Sequence, residues 1–207
     1  MPVTLSDLVG DGRAAAVTME LQRGVVGDRS SFPELAAEAQ RVGVVPAAAR
    51  LLAGARRGGV PVVHCTAGFR PDRRGSPANA PLMTALLRRP EHLLESGPAV
   101  ELVPGLEAQP DDLVSHRRHG LSPFVGTTLD PTLRALSVST VIATGVSLNV
   151  GIIGLAIEAV DLGYHVVVAT DAVAGIPSGY AHDVLRHTLR FVAALATVDE
   201  ILDALAR

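Results

Sequence analysis

The clearest structural signal in the chain is the stretch VSTVIATGVSLNVGIIGLAIEAVDLGYHVVVAT, residues 138–170. It begins with a β-branched apolar run at 138–144 and ends with a second run at 164–170. The segment between them, 148–162, has the composition of a buried helix and is closed by Gly163. Two such strands around one helix are typical of a strand–helix–strand unit with parallel strands. The stretch therefore predicts a parallel sheet that helices cover on both faces.

The same alternation of strands and helices continues on both sides of this stretch. Further strands are predicted at 14–19, 60–65 and 111–115, and further helices at 46–57, at 178–192 and in the tail that begins at Thr197. Glu200, three residues after Thr197, gives this last helix a capping box. Strand 111–115 has the weakest pattern, because it contains two aspartates and a serine.

Three segments carry no strong pattern. Residues 66–110 are rich in Pro, Gly and Arg, and they predict a long excursion with one or two short helices. Residues 23–43 predict a second irregular excursion, and residues 1–12 a loose N-terminal extension. The whole chain, residues 1–207, is expected to form a single three-layer α/β/α domain. Its sheet is expected to be Rossmann-like, mostly parallel and about six-stranded.

Composition narrows the classes of partner and the chemistry. No apolar run reaches the roughly 18 residues of a membrane span, and the N-terminus does not resemble a signal peptide, so a soluble cytoplasmic protein is expected. The formal net charge of −3 does not favour a nucleic-acid partner. All 18 basic residues are arginine, so no mechanism that needs a lysine amine can operate. The single cysteine, Cys65, excludes an internal disulfide and is interpreted as a small buried hydrophobic residue.

Polar side chains follow three of the predicted strands, where ligands bind in open α/β sheets. They are Glu20 and Gln22 after the first strand, His116, Arg117, Arg118 and His119 after the third, and Ser147 and Asn149 after the fourth. A carboxylate here can act as a general acid or base, the arginines and histidines can bind an anion, and a histidine can move a proton. Each group also has a structural interpretation: an ion-paired carboxylate, a solvated basic turn, and helix caps. No convincing set of metal ligands is present, and no cofactor is expected.

The segment TGVSLNVGIIGLAIEAVDLGYHVVVATDAVAG, residues 144–175, resembles the signature of the isochorismatase-like (cysteine hydrolase) superfamily. The upstream pieces VTMELQRG and LSPFVGTTLDPTLRAL resemble the family's first-strand segment and the segment after its third strand. The resemblance runs from about residue 14 to the C-terminus. It implies a hydrolase that takes a small-molecule substrate and assembles as a homodimer or homotetramer.

The resemblance also implies roles for particular positions. The family's hydrolases use an Asp, a Lys and a Cys, and the matching positions here hold Glu20, Arg118 and Gly151. The segment after the third strand places Phe124 at the substrate pocket. Gly151 has no side chain, which excludes a covalent thioester at that place. The branch of the family that cleaves vinyl ethers resembles this chain in carrying Gly there, and its chemistry needs no covalent nucleophile.

Three hypotheses of function follow. The first is a hydrolase without a Cys nucleophile, in which Glu20 is the general acid/base and Arg118 and Gly151 complete the catalytic set. Its substrate-binding residues are predicted to be Gln22, His116, Arg117, His119, Phe124, Ser147 and Asn149. The second is a catalytically inactive family member that serves as a small-molecule binding or assembly protein. The third, an amidase that depends on Cys65 or on a metal, fits the sequence least.

Overall fold

A computed structural model of the chain describes residues 3–206 and shows a six-stranded sheet. The strands are β1 (Ala14–Met19), β2 (Val62–Ala67), β3 (Leu113–Arg117), β4 (Thr140–Val146), β5 (His165–Ala174) and β6 (Ala194–Ala196). Their order is β3–β2–β1–β4–β5–β6, and every neighbouring pair is parallel. The predicted fold class is therefore confirmed.

Helices cover both faces of this sheet. They are α1 (Leu5–Val9), α2 (Pro33–Val42), α3 (Val44–Arg57), α4 (Pro81–Leu87), α5 (Leu129–Ala135), α6 (Ile153–Asp161), α7 (Ser178–His187) and α8 (Val198–Leu205). Along β1, Ala14 and Ala16 pack in a core with α2, α3 and α8, whereas Ala15 and Val17 pack in a second core with α5, α6 and α7. This alternation follows from the two-residue period of a strand and produces the three layers. None of the helices in residues 3–206 is long and apolar enough to cross a membrane.

The strand order reverses direction between β1 and β4. From β1 the chain builds β2 and β3 on one side, and from β4 it builds β5 and β6 on the other. Gly145 makes the close approach of β4 to β1 possible, because a Cβ at that residue would lie 2.2 Å from the Met19 carbonyl oxygen. Its φ of +116° is also one that side chains disfavour. The carboxyl ends of β1 and β4 therefore flank a topological switch point, where α/β proteins bind ligands.

Several boundaries differ from the sequence predictions. The strand predicted at 60–65 is displaced to Val62–Ala67 because the Val60 amide donates to Ala55 and closes α3. The prediction of an irregular excursion at 23–43 is wrong for its second half, where α2 begins at Pro33 and ends at Gly43. These are the residue types that start and stop helices. The excursion at 66–110 does contain short helices, namely α4 and two single 3₁₀ turns.

The N-terminal segment also differs from its prediction. A loose extension was expected at 1–12, but Leu5–Val9 forms α1, which contacts α8. Thr4 and Asp7 form a capping box at its start, and Leu8 and Val9 are buried. Burial of two apolar side chains stabilises so short a helix, which its own propensity would not. Residues 1 and 2 of that expectation lie outside the described residues.

A buried polar network ties α3 to the sheet. The Asp112 carboxylate accepts hydrogen bonds from Arg56 Nη2 at 2.6 Å, from His64 Nε2 at 3.1 Å and from the backbone N–H of Gln109 at 2.8 Å. Because a carboxylate only accepts, the His64 proton lies on Nε2, and the Thr18 hydroxyl donates to Nδ1 at 2.9 Å. Burial lowers the pKa of His64, so the ring is neutral at pH 7.

Candidate active site

A cavity of about 200 Å³ opens at the carboxyl end of the sheet, next to the switch point. Three strand ends contribute polar side chains to its lining: Glu20 after β1, Arg117 at the end of β3, and Ser147 and Asn149 after β4. Gly151 also lines the cavity. The sequence placed all of these residues at strand ends, and the fold brings them together. The volume suits a small metabolite rather than a polymer.

Glu20 occupies an unusual backbone position at the end of β1. Its φ of +51° lies in the left-handed region, which non-glycine residues seldom adopt, and its amide donates to the Cys65 carbonyl at 2.9 Å. Local backbone strain of this kind clusters at functional sites. The conformation lets the Glu20 side chain line the cavity, where Oε1 lies 2.5 Å from Arg117 Nη2.

Arg117 is the cation of the cavity. It is the last residue of β3, and only 7% of its side chain is exposed. Nη2 binds Glu20, whereas Nε and Nη1 are buried and have no hydrogen-bond partner among the described residues. Buried guanidinium N–H groups are costly to leave unpaired. This side chain therefore has unused donors for a ligand carboxylate or another anion.

Arg118 was predicted to be part of the catalytic set, and its observed position contradicts this prediction. Arg118 pairs with Glu95, more than half of its side chain is exposed, and it does not line the cavity. The reason is the alternation of side chains at the end of β3, which turns Arg117 to one face of the sheet and the two flanking residues, His116 and Arg118, to the other. Arg117, predicted as a substrate-binding residue, therefore holds the place beside the carboxylate.

Gly151 lies in a π-helical turn, Leu148–Ile152, directly before α6. A Cβ built on Gly151 would meet Met19 Cε at 3.0 Å and the Val146 carbonyl oxygen at 3.1 Å. The fully buried Met19 side chain thus fills the space next to Gly151.

Ser147 and Asn149 line the cavity without capping a helix. Ser147 precedes the π-helical turn, but its side chain makes no capping hydrogen bond. Asn149 donates from Nδ2 to the Ile176 carbonyl at 3.2 Å, and its Oδ1 is buried without a hydrogen-bond partner among the described residues. The capping interpretation is therefore wrong for both residues. Asn149 has a free acceptor in the wall of the cavity.

Four predicted substrate-binding residues do not line the cavity. Gln22 is fully buried and bonds to the backbone of Ala67 and Val100. His116 accepts from or donates to Thr66 and faces Glu95 on the other side of the sheet, and His119 lies against Gly126. Phe124 packs in the core and stacks on Tyr164, with ring centroids 6.1 Å apart. These residues hold the scaffold in position rather than touch the cavity.

The remaining walls are apolar, and sequence reasoning did not select them. They include Val25, Phe32, Leu35, Phe69, Leu82, Met83, Leu86, Leu93, Leu121 and Ile176. Most belong to the two excursions, so these segments build the cavity. One histidine, His92, lies among them and was also missed. Its only sequence signal is its place in an excursion rich in arginine and proline.

The third hypothesis, an amidase that depends on Cys65 or on a metal, can be compared with the structure. Cys65 is buried in the core, and burial raises the pKa of its thiol to about 12, so it stays protonated and is no nucleophile. In residues 3–206 no three His, Cys, Asp or Glu side chains are grouped as metal ligands. The Cys65 hypothesis therefore has no support in the geometry.

His92 gives the protein a specific pH dependence. Burial lowers the pKa of His92 to about 4, and Arg73 and Arg89 add repulsion. A histidine in an unfolded chain titrates near 6.5. Between pH 6.5 and 4 the unfolded state therefore binds a proton that the folded state does not, and stability falls as the pH falls. Above this window neither state binds the proton, and below it both do.

We expect the wild type to lose about 3 kcal/mol more free energy of unfolding than His92→Phe between pH 7 and pH 4. Phe has a similar volume, does not titrate, and would lie among the aromatic rings that already surround the site. Urea unfolding of both proteins at the two pH values measures the difference. Equal losses in the two proteins would show that His92 does not resist protonation.

Comparisons with known proteins agree with this geometry. The six-stranded parallel sheet covered by helices defines the class as a single-domain α/β protein. The isochorismatase domain profile matches residues 14–200, so the chain belongs to the isochorismatase family and is hydrolase-like.

Similar proteins of this family cover nearly the whole chain. The uncharacterized isochorismatase family protein YecD of Escherichia coli O157:H7 is 29% identical over 92% of this chain and 95% of its own length. The crystal structure of an isochorismatase family protein from Desulfovibrio vulgaris is 26% identical, with a TM-score of 0.79 over 94% of this chain and 99% of its own. A family member from Burkholderia thailandensis is 25% identical, with a TM-score of 0.78 over 96% of this chain and 98% of its own.

Proposed function

We propose that this protein is a hydrolase that acts on a small anionic metabolite without a cysteine nucleophile. Glu20 is the general acid/base of this reaction, and cleavage of a vinyl ether or a related bond is the chemistry that fits it. One observation carries the proposal: the cavity is lined by a partly buried Glu20–Arg117 pair and by Gly151. By resemblance, Gly151 stands at the position of the nucleophile of the family's hydrolases.

The unpaired donors of Arg117 are the reason to propose an anionic substrate. Arg117 Nη2 is used by Glu20, but Nε and Nη1 remain without partners among residues 3–206. A carboxylate on the substrate would accept from these two donors and would be held next to the Glu20 carboxyl. Charge-assisted hydrogen bonds of this kind are about twice as strong as neutral ones. The pair therefore binds the substrate and positions the proton donor together.

Vinyl-ether hydrolysis needs a proton donor, a group that holds the substrate and a water molecule, and Glu20 and Arg117 supply the first two. In its protonated form, the Glu20 carboxyl gives its proton to the terminal vinyl carbon, which leaves an oxocarbenium ion on the substrate and a Glu20 carboxylate paired with Arg117. Water adds to the cationic carbon and gives one of its protons to the Glu20 carboxylate, which restores the acid. The resulting hemiketal then splits into an alcohol and a ketone. The apolar walls limit the access of bulk water to the intermediate. Because no covalent intermediate forms on the protein, Gly151 is sufficient at its position.

A second candidate is a catalytically inactive family member that binds a small molecule. The observation that favours it is the ion pair itself, because Arg117 bound to Glu20 is also what a purely structural carboxylate would show. In that case the cavity would bind anionic ligands but would leave them unchanged.

A screen of substrates separates the two candidates. We expect the purified protein to hydrolyse at least one carboxylated vinyl ether and to leave simple amides and ureas intact. Ligand binding is measured on the same panel by calorimetry. Binding without turnover across the whole panel would favour the inactive family member, and turnover of amides that equals that of vinyl ethers would contradict the proposed chemistry.

A further inference from the structure

His92 lies in the apolar part of the cavity as a buried polar residue that the proposed chemistry does not use. Only 3% of the residue is exposed, and it lines the same cavity as Glu20 and Arg117. Its ring packs edge-on against Phe32, with centroids 5.4 Å apart, and tilted against Phe69, at 5.6 Å. Both phenylalanines line the cavity as well, so the imidazole forms part of its wall.

Ser31 contacts one nitrogen of this ring and leaves the other to the cavity. Its Oγ lies 2.7 Å from His92 Nδ1 and 3.5 Å from the Gly24 carbonyl oxygen. When the Ser31 hydroxyl donates along the shorter contact, to Nδ1, the ring proton of His92 lies on Nε2. Ser31 does not line the cavity, whereas His92 does. Among residues 3–206, Nε2 has no hydrogen-bond partner, so in this tautomer its N–H is available to a ligand.

Two arginines near His92 determine which charge a ligand group can carry beside the ring. The ring is neutral at pH 7, since its pKa lies near 4. Arg89 lies over the Phe32 ring and Arg73 over the Phe69 ring, at 5.6 Å and 5.5 Å from the ring centroids. Two guanidinium groups on this side disfavour a cationic substituent and favour an oxygen that accepts a hydrogen bond.

We infer that His92 Nε2 is a specificity-determining donor for a hydroxyl or carbonyl oxygen on the body of the substrate. Arg117 holds the carboxylate of that substrate, and the apolar walls hold its body. This inference rests on the proposed function for the orientation of the substrate, and it narrows the substrate class to small carboxylates that carry a second, uncharged oxygen. A neutral donor in an apolar wall rejects analogues without that oxygen, because its own hydrogen bond is then lost.

Binding of benzoate and of its three monohydroxy isomers tests the inference by calorimetry. We expect the wild type to bind its preferred hydroxybenzoate about tenfold more tightly than benzoate, as one added hydrogen bond predicts. His92→Phe should bring this preference, taken as the ratio of the two affinities in the same variant, to within about twofold. His182→Phe, a change of an exposed histidine on α7, is the matched control and should keep the preference.

The inference is overturned if the wild type shows no hydroxyl preference, including the case in which no probe binds, or if His92→Phe retains the preference. A second measurement needs no variant: ¹⁵N spectra of the wild type at pH 7 should show His92 protonated at Nε2 and not at Nδ1, and the reverse would also overturn it. Binding needs no turnover, so the outcome is separate from that of the proposed hydrolysis. A His92-dependent preference without turnover would reject only the hydrolase.

Discussion

Replacing Arg117 with Met should lower turnover of the anionic substrate at least about 100-fold. Met keeps most of the side-chain volume but removes the guanidinium, so the substrate loses its partner for the carboxylate. Glu20 loses the contact that orients its carboxyl group as well. A misplaced catalytic group alone can cost about a hundredfold. The measurement is kcat/KM on the best substrate of the screen, with far-ultraviolet circular dichroism as the check on folding.

Arg118→Met is the matched control, because it removes the same charge from the next residue. Arg118 lies outside the cavity and pairs with Glu95. We expect its kcat/KM to stay within about twofold of the wild type. Similar losses in both variants, or a loss in Arg118→Met alone, would contradict the placement of Arg117 beside the reacting atoms.

Replacing Asp112 with Ala should lower the free energy of unfolding by about 3 kcal/mol. The carboxylate accepts from Arg56, His64 and the Gln109 amide, and only 5% of its side chain is exposed. Its removal leaves a partly buried guanidinium without its anion and a buried imidazole N–H without an acceptor. Urea unfolding monitored by circular dichroism at pH 7 measures the loss.

Two further variants test whether the loss comes from the buried network. Asp112→Asn keeps an acceptor oxygen but loses the charge, so its loss should lie between that of Ala and none. Asp72→Ala removes a carboxylate from an exposed pair with Arg70, and its midpoint in urea should barely change. An Asp112→Ala midpoint as close to the wild type as that of Asp72→Ala would show that the network does not stabilise the fold.

The sheet was largely predictable from the sequence because its central strands are buried on both faces. Strand β1 was predicted with its observed bounds, 14–19, since a continuous apolar run has few alternatives. The β4–α6–β5 unit followed from the same signal. Strand β6 was missed because three residues, Ala194–Ala196, are too few to show a pattern. Helices α1 and α5 were missed for similar reasons, being five and seven residues long.

The position of β3 in the sequence explains why Arg118, and not Arg117, was predicted as the catalytic cation. This strand lies at the edge of the sheet, and Leu113 and Val114 are exposed, so its apolar pattern is weak. The strand was predicted at 111–115 and is observed at Leu113–Arg117. Two residues of displacement convert an apparent basic turn into the end of a strand. Alternation then places Arg117, and not Arg118, in the cavity.

The walls of the cavity were not predictable from local patterns. Phe32 and His92 are sixty residues apart in the sequence, and neither belongs to a periodic run. They meet only because both excursions fold over the same end of the sheet. Phe124 shows the opposite error, because a motif placed it at the pocket while the fold buries it against Tyr164.

The most direct test of the central claim is the turnover of Glu20→Gln. The amide keeps the size of the side chain and an oxygen for Arg117, but it cannot transfer the proton. We predict that kcat falls at least about 100-fold while substrate binding, measured by calorimetry, stays within about threefold. Glu95→Gln, outside the cavity, should leave both quantities unchanged. Unchanged turnover in Glu20→Gln would contradict the assignment of this carboxyl group as the general acid/base.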